Sequence, residues 1–121
     1  MNESRITLDL SKGGPAPVVT ARAGERRAKR VTALVLDCGL PADLGGHEVS
    51  FECMGDGWHA AAECEVDGSL ASFELPPFDE PCDVRAAYVR VSGGGSVRTT
   101  GDFAIRVVGR GAGPCSRYGS S

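Results

Sequence analysis

The residues best suited to hold a metal ion or to do chemistry cluster between His47 and Cys64, with Cys53 and His59 in between. A structural zinc site in such a loop-rich chain is built on a compact pair of cysteines separated by two to four residues. No such pair occurs here. The spacing therefore predicts no metal ion, and no other cofactor is expected.

The sequence also lacks the motifs of the common catalytic sites. Serine, histidine and acidic residues are present, but no Gly-x-Ser-x-Gly segment marks a nucleophile at a strand-to-helix turn. The run Gly93-Gly94-Gly95 lacks the lysine and the helix of a phosphate-binding loop, and we interpret it as the tip of a hairpin. We expect no catalytic residues and no enzymatic activity.

The chain has five cysteines, Cys38, Cys53, Cys64, Cys82 and Cys115. Their number is odd and their spacings are wide, and the first residues lack the charged start and apolar core of a secretory signal. These features favour reduced thiols that act as small apolar side chains in a protein made in the cytoplasm.

Charge argues against a nucleic-acid partner, and the lengths of the apolar runs argue against a membrane-spanning helix. The net charge is −3, whereas nucleic-acid-binding domains are usually basic. The densest basic stretch, Arg22 to Arg30, has no interleaved aromatic residues that could stack on bases, so we interpret it as a solvated loop. No apolar run is long enough for a membrane-spanning helix.

Short apolar alternations separated by glycine and proline predict an all-β fold. Asp67-Gly68 is a hairpin signal, and the proline-rich segment Pro76–Pro81 cannot be a central strand. About seven or eight short antiparallel strands at this spacing are typical of a β-sandwich. The predicted strands are Arg5–Leu10, Pro17–Arg22, Val31–Asp37 (covered on both faces), His47–Met54, Trp58–Val66, Ala71–Leu75, Asp83–Val91 and Phe103–Val108.

The last segment, Asp83 to Val108, is predicted to form two strands joined by a glycine-tipped turn. In its final strand, one apolar row faces the core, and the second row, which includes Arg106, is only half polar. The preceding strand has Val84, Ala86 and Tyr88 on one row, with Tyr88 expected in the core and its hydroxyl at the rim. Neither strand has a fully polar row facing away from the core, so Tyr88 and Arg106 are candidate partner contacts.

Trp58 is the third candidate contact. It is the only tryptophan and it follows a turn at Gly55-Asp56-Gly57. Two interpretations stay open: the indole packs over the edge of a sheet, or it is exposed beside Asp56 and stacks on a sugar ring. Burial of large aromatic side chains on average favours the first.

Several short motifs follow one another in a recognisable order along the chain: Leu40–Gly46, Val49–Phe51, Asp67-Gly68, Leu75-Pro76, Ala87–Val89 and Thr100–Phe103. This order resembles the N-terminal domain of the phage baseplate upper protein and related domains of phage tail fibres. The resemblance spans roughly Arg5 to Val108.

The resemblance implies an immunoglobulin-like β-sandwich with a structural task in the tail baseplate of a phage or prophage. The implied partners are other tail proteins and copies of the same chain, with a trimer favoured, and the implied location is the virion. The alternative is an adhesion domain that binds a cell-surface carbohydrate or receptor. One domain is predicted over residues 1–109, followed by a flexible Gly/Ser-rich tail over residues 110–121.

Overall fold

The computed structural model describes residues 3–11, 16–24, 29–55 and 57–109, and in these residues the fold is an all-β sandwich of two mixed sheets. This confirms the predicted fold class. The predicted tail, with Cys115, lies outside the described residues. The strands are β1 Glu3–Asp9, β2 Val18–Arg22, β3 Arg30–Asp37, β4 Leu40–Pro41, β5 Glu48–Gly55, β6 Trp58–Glu63, β7 Glu65–Asp67, β8 Leu70–Glu74, β9 Cys82–Gly93, β10 Ser96–Thr99 and β11 Phe103–Val108.

The two sheets are not purely antiparallel, which corrects the prediction. The five-stranded sheet has the order β1-β3-β8-β7, with β4 paired to β3, and the six-stranded sheet has the order β2-β11-β9-β5-β6, with β10 paired to β9. Two pairs are parallel, β1 with β3 and β2 with β11. The chain leaves β1, crosses to β2 in the other sheet and returns to β3, and such a crossover is what a parallel pair requires.

The core lies between the sheets and is built by the predicted alternations. Phe51 and Phe103 face inward from the six-stranded sheet and Phe73 from the five-stranded sheet, and each is at most 2% exposed. The rings of Phe51 and Phe73 are stacked, with centroids 4.2 Å apart and planes 5° apart. Phe103 completes the cluster at 6.0 Å from Phe51 and 6.4 Å from Phe73.

The segment predicted as two final strands contains three. Strands β9 and β10 form the glycine-tipped hairpin, and β11 pairs with the first half of β9, so β10 and β11 lie one after the other along the same side of β9. The register shifts between Phe103–Ala87 and Ile105–Val84, which inserts one extra residue in β9. This bulge turns Val84 into the core, whereas the uninterrupted alternation had placed it with Ala86 and Tyr88.

Two other strands differ from the prediction. The predicted strand Trp58–Val66 breaks at Cys64, where β6 of the six-stranded sheet ends and β7 of the five-stranded sheet begins. Strand β3 is fully buried on one face only, because its other face looks outward and its leucines there are half-buried. The hairpin at Asp67-Gly68 is confirmed: Asp67 pairs with Leu70, and Gly68 has a φ of 64°.

An acidic side chain fixes one end of the sandwich. Asp9 accepts hydrogen bonds from the backbone N–H and hydroxyl of Ser11 at 2.8 and 2.5 Å, and from the N–H groups of Cys38 and Gly39 at 3.1 and 2.9 Å. The bonds from Ser11 are the main reason why the pKa of Asp9 falls to about 2. Cys38 itself has a φ of 53°, in the left-handed region that non-glycine residues rarely adopt.

Candidate functional site

The residues considered as metal ligands do not converge. Cys53 is fully buried between the sheets, while His59 lies on the outer face of the six-stranded sheet. His47 lies in the turn before β5, where its Nδ1 is 3.1 Å from the carbonyl oxygen of Gly45. No group of three potential metal ligands occurs among residues 3–11, 16–24, 29–55 and 57–109.

The buried Cys53 and the half-buried Cys64 are poor nucleophiles. Burial raises the pKa of Cys53 to about 11 and that of Cys64 to about 12, so both thiols stay protonated near neutral pH. Cys38 and Cys82 are exposed, and these four described cysteines are free thiols.

The candidate contact Tyr88 lies on the outer face of the six-stranded sheet, not in the core. It is half-buried there, because β9 turns its Ala87 and Val89 inward and its Tyr88 outward. Its hydroxyl donates a hydrogen bond of 2.7 Å to Glu52 on the neighbouring strand β5. This bond to a carboxylate is the main reason why the pKa of Tyr88 is raised.

Glu52 is the centre of a charged cluster on this face. Its side chain is only 15% exposed, and besides Tyr88 it faces Arg90 at 3.6 Å and His59 at 3.9 Å. The cluster adds side-chain contacts across three neighbouring strands, β6, β5 and β9, which also pair through their backbones. Such a partly covered network holds its members in fixed positions, which suits a surface that must present one shape.

An apolar row crosses the same outer face beside this cluster. Cross-strand register places Val18 beside Ala104, and Ala86 beside Met54, with the bulge of β9 opposite Ala104. Val18 is 56% exposed, and the other three side chains are half-buried. We call Val18, Ala104, Ala86 and Met54 the outer apolar row.

Arg106 borders the outer apolar row on the side away from Glu52. Its side chain is 64% exposed, and its Nε lies 3.5 Å from Oδ1 of Asp83 on β9. Tyr88 and Arg106 therefore flank the outer apolar row, and the exposed Arg85 of the β9 bulge lies next to Ala86. Apart from Arg85, the arrangement resembles protein–protein contact surfaces, in which a polar rim surrounds an apolar centre.

Trp58 is separate from this surface. Its indole covers Gly55 on the paired strand, where an added Cβ would come within 2.5 Å of Nε1, and it meets the ring of Phe78 edge-on at 6.1 Å. The predicted packing over a sheet edge is thus observed, although 39% of the residue stays exposed. A groove of about 380 Å³ runs between Trp58 and the loop of Pro76 and Pro77, with Asp79 and Glu80 in its lining.

The basic stretch is described only in part, since residues 25–28 lie outside the described residues. Arg22 is exposed at the end of β2, and Lys29 and Arg30 are half-buried. Arg30 forms an ion pair with Glu65 of β7, which ties one of these cations to its own sheet.

Glu52 and Met54 were not identified from the sequence as members of the surface, although alternation in β5 gives their outward direction. Ala86 was placed on one row with Tyr88, but the bulge that brings it next to Ala104 has no marker in the sequence. For the described residues, the structure has no helix capable of crossing a membrane.

Comparison with known proteins finds a similar fold but no matching family. No family model matches the chain, and no curated protein matches it significantly. The structure is similar to the N-terminal domain of phage TP901-1 ORF48, with a TM-score of 0.68 and 15% sequence identity. The match covers 87% of this chain and 98% of that domain. The resemblance to a phage domain that the sequence motifs indicated is confirmed at the level of the fold.

Proposed function

We propose that the protein is a structural component of a phage or prophage virion, a baseplate or tail-fibre module that assembles with other tail proteins and catalyses no reaction. The observation that carries the proposal is the match to a phage domain over nearly its whole length, 98% of that domain. The motif order supports it independently, because it resembles a baseplate domain.

The outer face of the six-stranded sheet is the proposed contact with another tail protein. Its outer apolar row leaves Val18 largely exposed, and Tyr88 and Arg106 stand at its two margins. Stable protein interfaces bury on the order of 1,200–2,000 Å² in total, which a sheet face of this kind can supply to one partner. We also propose that copies of the chain assemble with one another, and the family resemblance favours a trimer.

Co-purification from cells that express the neighbouring tail genes tests this proposal. The tagged chain should retain a tail protein, and Ala104→Glu should lose it, because a charge would be placed in the middle of the outer apolar row. Arg5→Glu is the control, since Arg5 is exposed on the five-stranded sheet. Equal retention of tail proteins by both variants, or retention by neither the wild type nor the control, would refute the proposed contact.

A second candidate function is adhesion to a carbohydrate, and the groove beside Trp58 favours it. An exposed indole flanked by Asp79 and Glu80 combines a stacking platform with hydrogen-bond acceptors for hydroxyl groups. A glycan array tests it: binding that is lost in Trp58→Ala and kept in Arg106→Ala supports adhesion. A strict monomer that binds a glycan and no tail protein would favour this function over the first.

A further inference from the structure

The free edge of the six-stranded sheet at β6 has an unusual composition for an exposed strand. Residues Trp58–Glu63 contain no proline, lysine or arginine, and the middle of the strand is three consecutive alanines. Natural sheets usually protect such edges with charges, prolines or bulges. The methyl side chain of Ala61 instead leaves the outer face of this edge open to an approaching strand, while Ala60 and Ala62 pack toward the core.

The backbone groups that point away from the sheet can be identified from the ladder with β5. The N–H of Cys64 donates to the carbonyl oxygen of Val49 at 2.9 Å. Antiparallel ladders alternate between hydrogen-bonded and non-bonded pairs, so Ala62 and Ala60 also bond toward β5. The N–H and C=O groups of His59, Ala61 and Glu63 therefore point outward, and no described residue is bonded to them through the backbone.

We propose that this edge pairs antiparallel with the same edge of a second copy of the chain, about a twofold axis at Ala61. In that register, Ala61 faces Ala61 of the other copy, and His59 faces Glu63. All three outward residues then become hydrogen-bonded pairs, which gives on the order of six backbone hydrogen bonds. No other register uses all three, and the pairing also sets imidazole opposite carboxylate.

Charge complementarity selects this register over those in which identical groups face each other, and the count of bonded pairs selects it over the two in which Ala61 faces His59 or Glu63. Shifting the strands until His59 faces His59, or Glu63 faces Glu63, leaves one bonded pair and opposes identical groups, which is unfavourable across strands. His59 also stays within 3.9 Å of Glu52, whose other charged neighbour is Arg90. The imidazole would therefore lie between two carboxylates, one from each copy.

The other described edges are less suited to self-pairing. Strand β7 has three residues and β10 has four. The edge of β1 is occupied only at its end, where the carbonyl oxygen of Asp9 accepts from the N–H of Gly101 at 3.2 Å, and it carries the exposed Arg5, a charge of the kind that discourages edge pairing. Strand β2 follows Pro17 directly and ends in Arg22.

The proposed contact is isologous, so it closes at two copies. It uses the edge of β6 and leaves the outer apolar row free for a tail protein, and it does not depend on the proposed function. A threefold contact elsewhere on the molecule would combine with it into six copies, not three. A strand edge buries less area than a standard interface, so the expected Kd is on the order of 100 µM.

Sedimentation equilibrium of the full chain between about 10 and 500 µM tests the proposal. The wild type should show a monomer–dimer equilibrium. Ala61→Lys and Ala61→Pro should each raise the Kd at least tenfold, the second because proline removes an outward N–H that the ladder with β5 does not use. Thr20→Lys, in the middle of the opposite edge strand β2, is the control and should leave the Kd unchanged.

A charge-swap mixture tests the register itself. Glu63→Lys alone would oppose lysine and histidine, and His59→Glu alone would oppose two glutamates, so each homodimer should weaken. Mixed together, the two variants regain opposite charges at both ends and should form a heterodimer more tightly than either homodimer. A strict monomer up to 500 µM, a trimer alone, self-association unaffected by both Ala61 variants, or a mixture no tighter than its parts would each overturn the proposal.

Discussion

Replacement of Phe103 by alanine should be among the most damaging single changes in the described part of this protein. Phe103 is 1% exposed and its ring lies 6.0 Å from Phe51 and 6.4 Å from Phe73, so the truncation opens a cavity between the two sheets. Truncating a buried phenylalanine costs about 3–5 kcal/mol in free energy of unfolding. A domain of this size has a total of roughly 5–15 kcal/mol, so the variant should be close to the limit of folding.

Arg106→Ala is the matched comparison, three residues along the same strand. The Arg106 side chain is 64% exposed and its ion pair with Asp83 spans 3.5 Å, so its loss should cost less than about 1 kcal/mol. Urea unfolding followed by Trp58 fluorescence measures both. With an m-value of about 1.5 kcal/mol/M, Phe103→Ala should lower the midpoint by about 2–3 M and Arg106→Ala by less than about 0.7 M. Equal midpoints would show that the inward and outward rows of β11 are wrongly placed.

Three further outcomes follow from the described structure. The folded-state pKa of Asp9 is about 2, below the ordinary aspartate value of 3.8, so its stabilising contribution should be complete above about pH 4 and lost as the pH falls toward 2. The urea midpoints of wild type and Asp9→Asn should therefore differ at pH 6 and converge near pH 2, and a constant difference would contradict this. Cys38→Asn should raise the free energy of unfolding by about 1 kcal/mol, because asparagine tolerates a φ of 53° better, whereas a lower midpoint would refute the strain. Thiol labelling of the native protein should be fast at the exposed Cys38 and Cys82 and slow at Cys53 and Cys64. After denaturation, all five cysteines of the chain should be free. Two disulfides in protein whose thiols were blocked at lysis would contradict this.

The sandwich and most of its core were predictable because period-two alternation fixes which side chains face inward. Phe51, Phe73 and Phe103 all lie where that alternation places them. The parallel pairs were not predictable, because alternation says which face is buried and nothing about which strand lies alongside. The bulge in β9 was likewise hidden, and so was the break at Cys64, where the chain passes from one sheet to the other.

The candidate surface was predicted only at its margins. Tyr88 and Arg106 were identified from half-polar second rows, and both lie on the outer face of the six-stranded sheet. Trp58 was grouped with them, but it belongs to a different groove, beside Phe78. Glu52 was missed because a single acidic residue in a strand carries no sign of the neighbours that the sheet brings to it.

Quantitative mass spectrometry of purified particles tests the central claim most directly. Phage particles released from cells that carry the gene for this chain would be purified on a density gradient and digested. A structural role in the virion predicts peptides of the chain in a fixed ratio to the tail proteins across the gradient, with the ratio unchanged by repeated purification. A chain that is abundant in the lysate and absent from intact particles would contradict a structural role in the virion.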